Sequence, residues 1–130
     1  MRRLLVTILM LASWQAAAAE WMLLRENDSA RYYVHPATTR SAENTVRMWV
    51  LFDHKSVKLN RGKPYMSTRA EEEFDCEGKR WRMVFYSLHY ENMGNGDAVY
   101  ASPRPVQWEW EPVRPESTVE AFWKLACGKK

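Results

Sequence analysis

Residues 65–90 read YMSTRAEEEFDC, EGK, RWRMVFYSLHY, and this stretch decides the fold. The first run, Tyr65 to Cys76, has the period of a strand, with Met66, Ala70, Phe74 and Cys76 on its even-numbered face. Glu77-Gly78-Lys79 is a turn, and Arg80 to Tyr90 is the partner strand of a hairpin. In that partner Arg82, Val84, Tyr86, Leu88 and Tyr90 alternate with Trp81, Met83, Phe85, Ser87 and His89. The triplet Glu71-Glu72-Glu73 reads as a solvated strand edge, since successive side chains on a strand point to opposite faces.

Downstream, the period switches. Ser117-Thr118-Val119-Glu120 has the form of a capping box, in which the serine accepts from the third helical N–H and the glutamate reaches back. Val119, Phe122, Trp123, Ala126 and Cys127 then fall on one helical face, with Gly128 at the C-terminal cap and Lys129-Lys130 complementing the dipole. This helix should pack on the sheet face that carries Phe74 and Cys76.

Upstream, Thr45 to Asp53 (TVRMWVLFD) is apolar on both faces, which predicts a central strand covered on both sides or at a dimer contact. Glu20 to Glu26 predicts a first strand and Asn27-Asp28-Ser29 a turn. Arg31 to His35 predicts a second strand stopped by Pro36, followed by a polar stretch from Ala37 to Asn44. Lys55 to Lys63 reads as a basic connection closed by Gly62 and Pro64. Asn92 to Asp97 is a loop, Ala98 to Ala101 a short edge strand, and the prolines at 103, 105, 112 and 115 keep the chain extended around Trp108 and Trp110. About six antiparallel strands followed by one helix on the sheet define an α+β fold.

The N-terminus has another character. Arg2 and Arg3 precede an apolar run from Leu4 to Ala12, and Ala16 to Ala19 follow. This is the layout of a secretory signal peptide over residues 1–19, with cleavage expected between Ala19 and Glu20. The apolar run is shorter than the roughly 20 residues that a membrane span needs. No cysteine follows the cleavage point to carry a lipid, so the expectation is a soluble exported domain over residues 20–130, in the periplasm or outside the cell. Of the 130 residues, 111 remain once 19 are removed, enough for one modest core. Losing Arg2 and Arg3 reduces 19 Lys and Arg to 17, against 16 Asp and Glu. That balance disfavours nucleic acid as a partner. Seven Trp, six Tyr and four Phe supply large apolar areas to a small core.

In an exported chain, two cysteines are most simply one bridge, Cys76–Cys127. Free thiols or a metal pair are the alternatives, but no second ligand pair has zinc-like spacing. Closing a loop of this length contributes roughly 4 kcal/mol in the chain-entropy model.

Several of these residues together resemble the surface-adhesin protein E family of Gram-negative bacteria. They are Trp21, Tyr32-Tyr33-Val34 before Pro36, Val46 with Trp49-Val50-Leu51 and Asp53, Glu73-Phe74-Asp75-Cys76, Tyr86-Ser87, and Trp108 to Cys127 with Pro115 and Ser117. The resemblance implies a six-stranded antiparallel sheet with its C-terminal helix tied to the concave face by the two cysteines. It also implies a binding role toward host matrix or serum proteins, and a capacity to dimerise. The chain departs from the family's lipid-anchored namesake at Glu20, which stands where that protein carries its lipidated cysteine.

Groups for catalysis are sparse. His35, His54 and His89 are far apart and share no metal-ligand spacing. No nucleophile elbow or triad signature is present, and no Gly-rich phosphate cradle. The expectation is a non-enzymatic protein with no catalytic residue, metal or cofactor. The feature with binding character is residues 54–69 (HKSVKLNRGKPYMSTR), which carry Lys55, Lys58, Arg61, Lys63 and Arg69 and no acid. Such a segment suits a protein or acidic-glycan partner, although a solvated hairpin that deters edge aggregation has the same composition. Trp108 and Trp110 project the same way if extended, and covering the sheet is the favoured role over an exposed pair. Two functions follow: an exported, adhesin-like binding module, or a periplasmic accessory factor such as an assembly partner or inhibitor.

Overall fold

The computed structural model describes residues 20–129. The expected signal peptide and Ala19 lie outside the described residues, as does Lys130. Seven strands, one short 3-10 turn (Asn92–Gly94, between β5 and β6) and one α-helix follow in order among the described residues: β1 (Met22–Glu26), β2 (Ala30–Ala42), β3 (Thr45–Asn60), β4 (Lys63–Asp75), β5 (Arg80–His89), β6 (Ala98–Ala101), β7 (Glu111–Pro112) and α1 (Thr118–Ala126). The first six form an antiparallel meander in sequence order, and β7 pairs with the start of β5. The expected α+β architecture is therefore present, with TVRMWVLFD inside the sheet as the third strand.

Three boundaries differ from the sequence reading. Pro36 does not end β2, which runs through the polar stretch to Ala42. A register shift lies between His35 and Arg40, so the proline sits in an irregular part of the ladder where no N–H is required. Thr38 closes the gap: its hydroxyl donates to the His35 carbonyl (2.6 Å) and accepts from the Trp49 N–H (3.1 Å). The basic connection is mostly strand too. Past a register shift at Asp53–Lys58, β3 and β4 stay paired as far as Asn60 and Lys63, leaving only Arg61 and Gly62 in the turn. Thirdly, the three glutamates are not a solvated edge. β4 lies between β3 and β5, and Glu71, Glu72 and Glu73 are all buried.

One sheet face is the core. Val46, Met48 and Val50 of β3 align with Phe74, Glu72 and Ala70 of β4, beside Val34 of β2. α1 closes this face with Phe122 and Trp123, and the Phe122 ring meets Phe52 edge-on at 6.1 Å. The Trp123 indole N–H donates to the Asp75 carbonyl (3.0 Å), so even the polar atom of this ring is satisfied in the interior.

Both helix ends are built by local chemistry. The Ser117 hydroxyl accepts from the Glu120 N–H (3.1 Å), while the Glu120 carboxylate reaches back to the Glu116 N–H (3.1 Å), one residue earlier than the capping box places it. At the other end Gly128 takes a φ of +65°, its N–H donates to Leu125, and the Lys129 N–H donates to Lys124. That is the Schellman arrangement, in which glycine carries the left-handed residue without a Cβ penalty. Cys127 then meets Cys76 in a disulfide with a Cα–Cα separation of 5.5 Å, closing 51 residues of chain.

The proline-rich segment protects an edge. Ser102, Val106 and Gln107 donate backbone hydrogen bonds to Tyr86, Val84 and Met83, filling the stretch of β5 between β6 and β7. An uncovered β5 would present those carbonyls to other chains.

Candidate functional site: a basic hairpin tip and an arginine-lined face

The five basic residues singled out in the sequence separate into two groups. Lys58, Arg61 and Lys63 gather at the β3–β4 tip, and none makes an ion pair with a carboxylate among the described residues. Lys55, nearer the base, is engaged: its ammonium sits 2.8 Å from Glu26 of β1. Arg69 leaves the group altogether. It lies along the sheet with its guanidinium 6.0 Å from the Trp21 ring centroid and 5.8 Å from that of Trp49. Its β4 position makes it part of the layer opposite α1, packed beneath Gly94, where an added Cβ would lie 2.8 Å from Arg69 Cδ.

The tip is also apolar on one side. Val57 and Leu59, two apart and so on one strand face, are 60 % and 68 % exposed. Nearer the sheet, His54 stacks edge-on against Tyr65 (5.6 Å) and contacts the Thr68 hydroxyl (3.1 Å). Burial, with Lys58 adding to it against the opposing pull of Asp53, lowers the His54 pKa, so this ring adds no cation at neutral pH.

The face away from α1 is an arginine–carboxylate–aromatic layer. Arg47, Glu73 and Arg82 face one another across β3, β4 and β5. Glu73 accepts from Arg47 Nε and from Arg82 Nε, both at 2.8 Å. Burial alone would raise the Glu73 pKa, but the hydrogen bonds and charges of the two arginines outweigh it, and the carboxyl is held below its ordinary value. The Glu73 hydrogen bond likewise raises Arg47. Glu71 takes Arg104 Nη1 at 2.6 Å, and the Arg104 guanidinium lies 4.7 Å over Phe85.

The two tryptophans have different roles. Trp110 covers the molecule as expected, stacked 4.2 Å from the Arg82 guanidinium and 5.4 Å from that of Arg80. Trp108 does not: it is 75 % exposed. The reason is the backbone, since its carbonyl is drawn in to accept from Arg82 Nη1 (2.9 Å) while its indole stays outside.

The histidines remain apart. His35 meets Trp21 edge-on at 5.5 Å. His89 Nδ1 donates to the Gly96 carbonyl (3.1 Å), which leaves Nε2 to accept from the Ser87 hydroxyl (2.8 Å). This Ser–His contact is buried and ties the 92–97 loop to the sheet. Among the described residues no group of three His, Cys, Asp or Glu side chains is placed to hold a metal. No described helix is long and apolar enough to cross a membrane.

A single antiparallel sheet, one capping helix and a disulfide between them define a small stapled α+β module with two cationic surfaces. The sequence matches the family described as Surface-adhesin protein E over residues 21–128, and the chain belongs to that family. Membership places it among adhesin-like surface proteins. The fold is similar to that of Haemophilus influenzae protein E in its selenomethionine form, with a TM-score of 0.63 at 14 % identity over 83 % of this chain and 85 % of that one. Protein E from non-typeable Haemophilus influenzae is similar as well, with a TM-score of 0.59 at 14 % identity over 88 % of this chain and 79 % of that one. No curated protein sequence matches the chain.

Proposed function

We propose that the chain is exported, loses residues 1–19, and acts as a non-enzymatic, adhesin-like binding module for a protein or acidic-glycan partner. The observation that carries this reading is the hairpin tip. Among the described residues Lys58, Arg61 and Lys63 have no carboxylate partner, and they lie beside the exposed Val57 and Leu59. Cations of this kind steer an anionic surface into contact, and the apolar pair supplies the short-range adhesion that charge alone does not. The partner classes that fit are host matrix or serum proteins and the acidic glycans that accompany them.

Retention of the mature protein on heparin and on immobilised matrix proteins tests the reading. The wild type should elute at a higher salt concentration than the Lys58→Gln, Arg61→Gln, Lys63→Gln triple variant. Identical elution of the two proteins removes the tip from the account. A second reading, a periplasmic accessory factor, is favoured by Glu20 at the position following the leader. Protease shaving of intact cells separates the two: degradation supports the surface module, and survival supports the periplasmic factor. A homodimer through the β1 edge is compatible with either, and sedimentation of the mature protein reports it.

A further inference from the structure

At the other end of β3 from the hairpin tip, the arginine-lined face encloses a cavity of about 250 Å³. Arg47 comes from β3, Arg82 and Val84 from β5, and Arg104, Pro105 and Trp108 from the edge-covering segment. We propose that this cavity binds a carboxylated sugar, a pyranose ring bearing a carboxylate, as found in acidic glycans. The assignment rests on the binding-module reading but on different residues. Arg47 and Lys58 are eleven positions apart on a strand that rises ~3.3 Å per residue, which separates the two surfaces by roughly 35 Å.

Charge and geometry come first. Three guanidiniums meet two carboxylates, Glu71 and Glu73, leaving one positive charge in excess. The carboxylates lie on the protein side, with side chains 6–8 % exposed, whereas Arg47 and Arg104 are close to half exposed. Arg82 is engaged through Nε and Nη2 with Glu73 and through Nη1 with the Trp108 carbonyl, so it fixes the wall. Arg47 is tethered through Nε and Arg104 through Nη1, and their remaining N–H groups have no acceptor among the described residues. A planar anion with two acceptor oxygens matches those forks. Because each arginine is already held by a buried acid, little side-chain freedom is lost when the anion arrives.

The remaining lining decides what carries the anion. Val84 and Pro105 are apolar, Gln107 has its amide N–H turned to the Glu109 carbonyl, and Trp108 holds an indole with most of its surface in water at the rim. A bare phosphate or sulfate would leave the exposed Trp108 indole uncovered. A pyranose presents a face of polarised C–H groups that suits the electron-rich face of an indole. Its hydroxyls accept as readily as they donate. The acids at this wall, Glu71 and Glu73, are already occupied by arginine N–H groups, so ligand groups that accept are favoured. A peptide terminus offers acceptors as well, so it is the stacking of a ring on the exposed Trp108 indole that favours the sugar. The volume suits one ring with its carboxylate, and the rest of a glycan would leave past Trp108.

Isothermal titration calorimetry on the disulfide-intact domain tests this with an unsulfated glucuronate-containing hexasaccharide. The control is the same hexasaccharide with its carboxyls reduced to alcohols, at matched ionic strength. The uronate should bind, and the reduced chain should bind at least tenfold more weakly. Trp108→Ala and Arg104→Gln should each weaken uronate binding at least tenfold, with urea midpoints confirming that both variants are folded. Arg104→Lys, which keeps the charge and loses the fork, should also weaken it, and Lys58→Gln with Arg61→Gln should weaken it by far less than either cavity variant does. Undetectable uronate binding, equal affinity for the reduced chain, or an unaffected Trp108→Ala protein would each overturn the assignment. So would tighter binding of a peptide through its free C-terminal carboxylate. Loss confined to the hairpin variant would also overturn the cavity, while leaving the proposed function in place.

Discussion

Glu72 and Glu73 are neighbours in the sequence, lie on opposite faces of β4, and are treated in opposite ways. Glu72 falls on the face that α1 covers, paired in register with Met48 and Met83. It is 1 % exposed, and burial pushes its pKa up to about 8. Its Oε2 has no hydrogen-bond partner. Glu73 lies between two arginines, which hold it ionised despite its burial. The helix face is thus an apolar core that favours the protonated form of its acid at neutral pH. The opposite face tolerates buried acids because it imports cations to meet them, and those cations are what a ligand can reach. The proposed recognition surfaces accordingly lie on the second face and at the hairpin tip.

The largest effect expected is on the helix side. Replacing both cysteines by alanine should cost about 2–5 kcal/mol in urea unfolding, because the bridge closes a loop spanning 51 positions. A loss below about 1 kcal/mol would mean that α1 stays docked without its staple.

Next comes the acid in the core. Its folded pKa of about 8 exceeds the ordinary 4.5, so the folded state holds the proton more tightly than the unfolded one. The stability it allows is complete below about pH 4.5 and is progressively lost as pH rises to about 8. Wild-type protein should therefore weaken across that window by a few kcal/mol, and Glu72→Gln should flatten the slope. Urea midpoints at half-unit pH steps measure both.

The opposite face should show the reverse sign. The Glu73 pKa is depressed, so its contribution is present above the ordinary carboxylate pKa and is lost as pH falls through the folded value. Glu73→Gln should cost about 1–2 kcal/mol at pH 7, moderated because Arg47 and Arg82 are partly solvated. The variant should lose less than the wild type on acidification. The smallest effect is expected at the exposed indole: Trp108→Ala should change stability by less than about 0.5 kcal/mol.

The same contrast explains what could be read without coordinates. The sheet, the helix and the bridge were legible because each has a local signature: the alternation of 80–90, the Ser117–Glu120 cap, and two cysteines in a sequence that reads as exported. The extent of β2 was not, because Pro36 reads as a stop unless one knows that Thr38 repairs the ladder beside it. The burial of Glu71–Glu73 was hidden for a related reason. Strand order is non-local, and a run of acids reads as an edge until β5 is placed beside it. Within the candidate site, Lys58, Arg61 and Lys63 were visible as a cluster in the sequence, whereas Arg69 was grouped with them by proximity in sequence alone. The cavity was illegible. Arg47, Arg82 and Arg104 come from three separate segments, and only the hairpin registers Arg47–Glu73–Arg82 offered a partial signal.

The division of the sheet into an apolar face and a charge-compensated face can be measured at these adjacent residues. Carbon-13 NMR of the glutamate side-chain carboxyls, followed from pH 3 to pH 9 in the disulfide-bonded domain, reports each titration separately. Glu72 should titrate near pH 8 and Glu73 below the ordinary 4.5. Titration of Glu72 near 4.5, alongside Glu73, would show water or a cation beneath α1 and contradict the account.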